Sequence, residues 1–412
     1  MAPSPRGTAM SRRSFLSRAA VVAVASPAMA ELLTACGNQL YTSGDFVIAT
    51  PENPVTWPLS TKHPVIESGL APEVGGTLRL YNYADYLSPG VLKAFEQQYD
   101  VDVSVSTFND GDEALTKIAS GAVSYDLTFA GYDGIGKLVT ADLLRPLNHD
   151  YIPNIKNLWS KFENPWYDQE WRYSVPYTVY STGIGWRTDM IAEDISQRDN
   201  PYEVFWDPQY RNNLAILDDY HVCGAMVLLS EGITDVNTGR VADLDTMRDR
   251  LMEMGAVTSP KVTITMYTDL PTGQYGLAQM WSGDMINAPY YLSKGVSPGV
   301  LRYWFPPDGR GMVDNDLMVL LGTGENPVAA HYFINYMLDA QVAADNFGFI
   351  GYQPPQRSIS PTRLVADGFV PANLESAGVL PKYFSEGYSL LELPPTEDGQ
   401  WHAIWQEFKA NG

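Results

Sequence analysis

Between residues 77 and 140 the chain switches three times from a strand-like run to a stretch with apolar residues at helical spacing. No other feature restricts its fold so strongly. Thr77-Leu78-Arg79-Leu80-Tyr81 reads as a strand. Ser88 then stands where a helix would be capped, with Pro89 in its first turn and Val91, Leu92, Phe95 and Tyr99 on one face. Val101, Val103 and Val105 alternate with Asp102, Ser104 and Ser106, the period of a half-buried strand. Asp112 opens a second helix through Leu115, Ile118 and Ala119. Tyr125 to Phe129 is a third strand, followed by a helix through Ile135, Leu138 and Val139. Strands alternating with short helices predict a mostly parallel sheet covered on both faces.

A second α/β set follows. Leu214–Leu217, Val262–Met266, Leu277–Trp281 and Leu301–Phe305 read as strands, with helices over Val222–Leu229 and from Asp284 towards Ser293. Leu317–Leu321 and a helix over Pro327–Leu338 return to the pattern of the first set. Two α/β lobes crossed more than once by the chain describe a clam-shell with a cleft between them. The expected lobes are 76–178 with 314–360, and 179–313 with 361–412. A chain of 412 residues exceeds one typical domain, in keeping with that division.

Ligands of such sheets sit beyond the carboxyl ends of the strands. That rule nominates the loops Asn82–Leu87, Phe108–Gly111 and Ala130–Gly134. The first contains Tyr83, Asp85 and Tyr86, and the third contains Tyr132 and Asp133. In the second set Asp219 and Trp281 also fall at strand ends. Aromatic faces beside carboxylates are the chemistry of cation binding. Each residue also has a plainer role open to it. The tyrosines and Trp281 could be packing residues, and Asp133 or Asp219 a helix cap.

The N-terminus reads as an address. Arg12-Arg13-Ser14-Phe15-Leu16 precedes a weakly apolar run from Ala19 to Ala30, a secretory signal of the twin-arginine type over residues 1–35. Leu33-Thr34-Ala35-Cys36-Gly37 resembles a lipobox, in which Cys36 is acylated and tethers the protein to the outer face of the cell membrane. The proline-punctuated stretch 36–75 then serves as a linker, with Phe46, Val47, Ile48 and Trp57 able to pack on the body. Acylation of Cys36 leaves Cys223 without a partner, and its apolar surroundings make it a small buried hydrophobe.

The formal charge is −21, and removing residues 1–35, with four Arg and one Glu, leaves −24. Such a surface disfavours nucleic acid and concentrates polycations. There is no His-Glu-x-x-His or P-loop. Of the five histidines only His221 lies near a cysteine, so a secreted enzyme finds little support.

Several motifs in order carry a family resemblance from about Gly76 to the C-terminus. They are Asn82-Tyr83-Ala84-Asp85-Tyr86, Tyr125-Asp126-Leu127, Ser174-Val175-Pro176-Tyr177 with Thr182-Gly183-Ile184-Gly185, Ala278-Gln279-Met280-Trp281-Ser282-Gly283, and Ile350-Gly351-Tyr352-Gln353-Pro354. In these the chain resembles the spermidine/putrescine-binding proteins of bacterial ABC importers. The resemblance implies a two-lobed periplasmic-binding-protein fold, type II-like, that captures a polyamine for an ABC permease and ATPase, with no cofactor or metal and no catalysis. It implies that Tyr83, Tyr86 and Trp281 offer aromatic faces, beside Tyr132 nominated by its loop. Asp85, Asp219 and Asp314 would pair with ammonium groups, and Tyr352 would close the pocket. The chain departs from the family pattern at Gly131-Tyr132-Asp133, at Val222 where a glutamate is expected, and at Met312-Val313 where an aromatic precedes the aspartate. Asp133 can compensate for the missing glutamate. Another amine, a cationic opine or a metal-bearing compound is the alternative ligand, and ligand sensing the alternative role.

Overall fold

The computed structural model describes residues 47–108, 111–121 and 123–411. The expected signal (residues 1–35) and Cys36 lie outside the described residues, as do two positions of the Phe108–Gly111 loop.

One mixed sheet of nine strands, among the described residues, carries the fold. Its strands are β1 (Thr77–Tyr83), β2 (Asp102–Phe108), β3 (Leu127–Gly131), β4 (Ser174–Arg187), β5 (Leu214–Leu217), β6 (Lys261–Thr263), β7 (Leu277–Trp281), β8 (Leu301–Trp304) and β9 (Met312–Leu320). The order is β2-β1-β3-β9-β4-β7-β5-β6, with β8 also on β4. Pairing is parallel within β2-β1-β3 and within β7-β5-β6, as the alternation predicts. It is antiparallel wherever β4 or β9 takes part. The mostly parallel expectation therefore holds for each wing and fails at the centre.

The two central strands belong to both halves. The start of β4 buries Val175 and Tyr177 among Leu78, Leu80, Leu127 and Phe333, while its end buries Ile184 and Trp186 among Phe205, Leu214, Met226 and Leu277. β9 runs the other way, from Met312 and Val313 in the second core to Met318 and Leu320 in the first. The chain thus crosses between two hydrophobic cores along a paired ladder, with a register shift between Pro176 and Thr178.

Local departures have local causes. Ser88 occupies the N-cap of helix Pro89–Tyr99 without a side-chain cap bond. Its N–H instead donates to Asn346 Oδ1 at 2.9 Å. Val105 is exposed, because β2 is an edge strand. The run Val262–Met266 supplies only the short β6, and Met266 begins the helix Met266–Thr272. The helix expected from Asp284 towards Ser293 is a single turn-and-a-half, Ser282–Asn287, continued by a 3-10 segment. The third strand sits two residues later than the apolar run suggests, at Leu127–Gly131.

Residues 49–75 form an irregular strap bound to the body. Trp57 is buried and donates its indole N–H to Tyr167 O at 2.8 Å. Tyr173 Oη donates to Pro58 O and accepts from Ser60 N, both at 2.7 Å. Glu73 accepts from Val328 N and Ala329 N, satisfying two orphan donors in the first turn of helix Pro327–Met337. This part of the expected linker is a structural element of the body.

Candidate functional site

Sheet register assembles the site. Across the β4–β9 ladder Tyr180 lies opposite Asp314 and Thr178 opposite Asp316, and across β4–β7 Thr182 lies opposite Trp281. Opposed residues share a face, and residues two apart on one strand share it too. Asp314, Asp316, Tyr180 and Trp281 are thereby presented on one side of the sheet.

That side faces a cavity of about 690 Å³. All nine expected side chains line it. Tyr83, Asp85 and Tyr86 come from the end of β1 and the loop after it, and Tyr132 and Asp133 from the 3-10 turn after β3. Asp219 and Trp281 come from the second half, Asp314 from β9, and Tyr352 from just beyond helix Ala340–Ile350. Asp85 is an exposed residue in the left-handed region (φ 57°), at the rim. Asp219 turns out to be a cap as well, with Oδ1 accepting from His221 N at 3.0 Å and Val222 N at 2.9 Å. The cap considered for it is therefore formed, at a position that also lines the cavity.

Among the cavity residues that sequence reasoning missed are Tyr180, Asp284 and Asp316. Asp316 could have been found from Asp314, since a period of two places both on one face. Asp284 could have been found from its position three residues after Trp281, on the first turn of the helix that begins at Ser282.

Three buried carboxylates each receive a phenol. Tyr352 Oη donates to Asp284 Oδ1 at 2.9 Å, Tyr86 Oη to Asp316 Oδ2 at 2.5 Å, and Tyr132 Oη to Asp314 Oδ1 at 2.5 Å. Leu390 N also donates to Asp314, at 3.3 Å, and Tyr180 Oη to Asp316, at 3.5 Å. Asp284 Oδ2 and Trp281 Nε1 are buried with no hydrogen-bond partner. Desolvation pushes Asp284 and Asp314 up to about 7 and Asp316 to about 6, partly offset by the phenol bonds. Neighbouring Asp133 raises Asp314 and Asp316 further. The same burial and charge drive the Tyr86, Tyr132 and Tyr352 hydroxyls far above their ordinary value, so they remain donors.

The aromatic rings form a continuous wall. Tyr86 meets Tyr352 edge-on at 5.1 Å and Tyr83 at 5.9 Å, while Tyr180 meets Tyr352 at 5.7 Å and Trp281 at 6.3 Å. Tyr352 reaches its place because residue 283 is glycine. A Cβ there would stand 2.3 Å from the ring, and Gly351 (φ 80°) turns the chain beside it.

Seven aspartates and two lysines, Lys137 and Lys409, line the cavity among the described residues. Lys409 is paired with Asp218 at 3.0 Å. The site is therefore anionic, aromatic and sparing in cations. It does not offer the nucleophile of an enzyme at Cys223. That thiol is fully buried, donates to Leu217 O and Gln279 Oε1 at 3.0 Å each, and is held well above its ordinary pKa by desolvation. No group of three or more His, Cys, Asp or Glu is arranged to hold a metal ion among the described residues. Nor is any described helix long and apolar enough to cross a membrane.

Known proteins are similar to this chain in sequence and fold. The spermidine/putrescine-binding periplasmic protein 1 of Haemophilus influenzae is 25% identical over 338 residues, 80% of this chain and 84% of that protein. A solved structure from Listeria monocytogenes, described as a spermidine/putrescine ABC transporter, superposes with a TM-score of 0.69 at 26% identity, covering 81% of this chain and 98% of the other. The spermidine/putrescine ABC transporter substrate-binding protein of Streptococcus pneumoniae gives 0.65 at 24% identity, covering 82% and 99%. The sequence model of the bacterial extracellular solute-binding proteins matches residues 90–371. That span holds every strand of the sheet but β1, including both crossing strands, and six of the nine expected cavity residues, all but Tyr83, Asp85 and Tyr86, and on it the chain belongs to the bacterial extracellular solute-binding protein family.

Proposed function

We propose that the protein is the solute-binding component of an ABC importer and captures a polyamine of the spermidine/putrescine class in this cavity. The observation that carries the reading is the set of three buried carboxylates, Asp284, Asp314 and Asp316, set in a wall of tyrosine and tryptophan. A buried carboxylate is costly unless a cation neutralises it. Ammonium groups meet that need, and the methylenes between them lie against aromatic faces, each cation–π contact adding about 0.5–2 kcal/mol. The similar proteins of Haemophilus influenzae and Listeria monocytogenes, named for spermidine and putrescine, support the same ligand class.

The lobes of the proposal are residues 76–178 with 314–360 and 179–313 with 361–412. Ligand bridging Asp316 and Asp284 favours their closure, a population shift between open and closed forms. In this reading the chain is exported, Cys36 carries the lipid that holds it at the membrane, and the closed form is handed to a permease and its ATPase. No enzymatic step is part of it.

Titration calorimetry with putrescine, spermidine, spermine and a neutral amino acid tests the ligand. At least one polyamine should bind with a dissociation constant of about a micromolar or tighter, near −8 kcal/mol. Absence of heat with all three refutes the assignment. Cys36→Ala should move the protein from the membrane fraction to the soluble fraction, and retention on the membrane would refute the anchor.

A further inference from the structure

One contact between the two halves lies outside the lining of the ligand cavity. Glu392 stands in the segment leading into the C-terminal helix Pro395–Asn411. There Leu390 and Leu393 belong to the second core, and Leu391 N donates to Asn237 Oδ1 at 2.7 Å. The Glu392 carboxyl reaches the short helix Ile135–Thr140, whose Ile135 and Leu138 pack with Tyr81, Leu317 and the strap residue Trp57. This socket exists because residue 136 is glycine. A Cβ there would collide with Glu392 Oε2 and lie 3.4 Å from the Trp57 ring. Glu392 is buried, and its Oε1 has no hydrogen-bond partner. The charged groups facing it are Lys137 on the short helix, Asp133 on the turn before that helix, and Asp398 on the C-terminal helix. Desolvation, helped by the two aspartates, pushes its carboxyl up to about 8 against the pull of Lys137.

We propose, resting on the closure of the halves described above, that Glu392 and the Gly136 socket form a proton-gated latch: the neutral acid seats across the two halves, and its ionisation parts them. A carboxylate in the socket would be a buried charge with an unpaired oxygen, which is costly, whereas in parted halves the same group is hydrated. The seated form therefore holds a proton that the parted form gives up. Between about 4.5, the ordinary value, and about 8, each seating takes up a proton, so closure weakens as pH rises. Below that window both forms are protonated, and above it both are ionised. The latch is joined to the cavity on both sides, because Leu390 N donates to Asp314 and Asp133 and Lys137 flank the socket. The cavity carboxylates act in the opposite sense, since a bound polycation favours their ionised form.

The test is calorimetry with spermidine on the full protein from pH 5.5 to pH 8.5, comparing wild type with Glu392→Gln and Gly136→Ala, so that the cavity carboxylates are common to all three. Glu392→Gln stays neutral at every pH. Its affinity should match wild type within about twofold at pH 5.5 and exceed it by about tenfold or more at pH 8.5. Gly136→Ala pushes the carboxyl from its socket. It should bind about tenfold more weakly than wild type at pH 5.5 and within about threefold of it at pH 8.5, and it carries the test if Glu392→Gln does not fold. Variant-to-wild-type ratios that stay constant across this range overturn the latch while leaving the amine reading intact. If spermidine does not bind, small-angle scattering of the ligand-free proteins decides. The radius of gyration should grow more between pH 5.5 and pH 8.5 in wild type than in Glu392→Gln, and equal growth overturns the latch. If spermidine binds without compacting the protein, the closure reading fails first and the latch falls with it.

Discussion

Asp168 and Asp284 are both buried carboxylates, yet their surroundings have opposite designs. Asp168, in the turn leading into β4, accepts from Tyr173 N at 2.9 Å, Ser174 N at 2.8 Å, Ser174 Oγ at 2.7 Å and Arg172 N at 3.2 Å. Four donors complete it. Asp284 has one phenol and an oxygen with no partner. Burial drives both carboxyls upward, to about 6 and about 7. Asp168 recovers its lost hydration within the fold, so its charge serves the frame. Asp284 leaves part of that hydration unreplaced, so its charge awaits something from outside. The completeness of hydrogen bonding, more than burial or pKa, separates a carboxylate that builds from one that binds.

The contrast can be broken most forcefully at the frame. Asp168→Ala should destabilise the protein by about 3–5 kcal/mol, because it strands several buried donors at once. Asp284→Asn, by contrast, should leave the ligand-free protein within about 1 kcal/mol of wild type. Urea unfolding of the two variants decides the matter, and equal losses would erase the distinction. Next in size, Asp284→Asn should weaken polyamine binding by about 1.5–3 kcal/mol, the contribution of a hydrogen bond to a charged group, read by calorimetry. Unchanged affinity would remove Asp284 from the site.

A pH series sharpens the comparison further. Asp284, Asp314 and Asp316 titrate higher in the folded protein than the ordinary 3.8. Between about 4 and about 7 the folded state therefore binds more protons than the unfolded chain, and these groups make stability fall as pH rises. His221 and His331, both lowered by burial to about 4, act in the opposite direction between about 4 and 6.5. The ligand isolates the carboxylates. A bound polycation favours their ionised form, so the rise in melting temperature on adding spermidine should be larger at pH 7.5 than at pH 5. Binding near pH 6.5 should also release protons to the buffer. A ligand effect independent of pH would refute neutralisation as the driving term. The smallest change is expected at the rim. Lys409→Gln frees Asp218 from a half-exposed ion pair and should alter affinity by less than about 1 kcal/mol, most visibly at low salt.

Much of this was legible in the residues, and the limits have physical causes. Leu214–Leu217 is a strand at its predicted bounds, because an apolar run between turn residues has little else to become. The loops after β1 and β3 hold Tyr83, Tyr86, Tyr132 and Asp133 as parallel-sheet topology requires. The strand β9 was seen only from Leu317. Its first half, Met312-Val313-Asp314-Asn315-Asp316, contains the residues least favoured in strands, and only pairing with β4 holds them extended. Asp316 was hidden for that reason. β4 itself is recognisable as motifs, yet its fourteen residues include Pro176 and two glycines, which local propensity reads as interruptions. Asp284 was assigned to a helix start, and nothing local reveals that Tyr352, sixty-eight residues later, closes over it.

The shift of register at Pro176 has a mechanical consequence. It lies in the β4–β9 ladder, which runs from one core to the other, next to the pairing of Thr178 with Asp316. A proline cannot donate to a ladder, so torsion there sacrifices no N–H bond at that residue. Twisting the molecule at this weak rung would carry Asp316 and Asp314 relative to the tyrosines on other strands. Grip on the cargo and the angle between the halves would then be one coordinate, and stiffening the rung would hold the cargo longer while slowing its release.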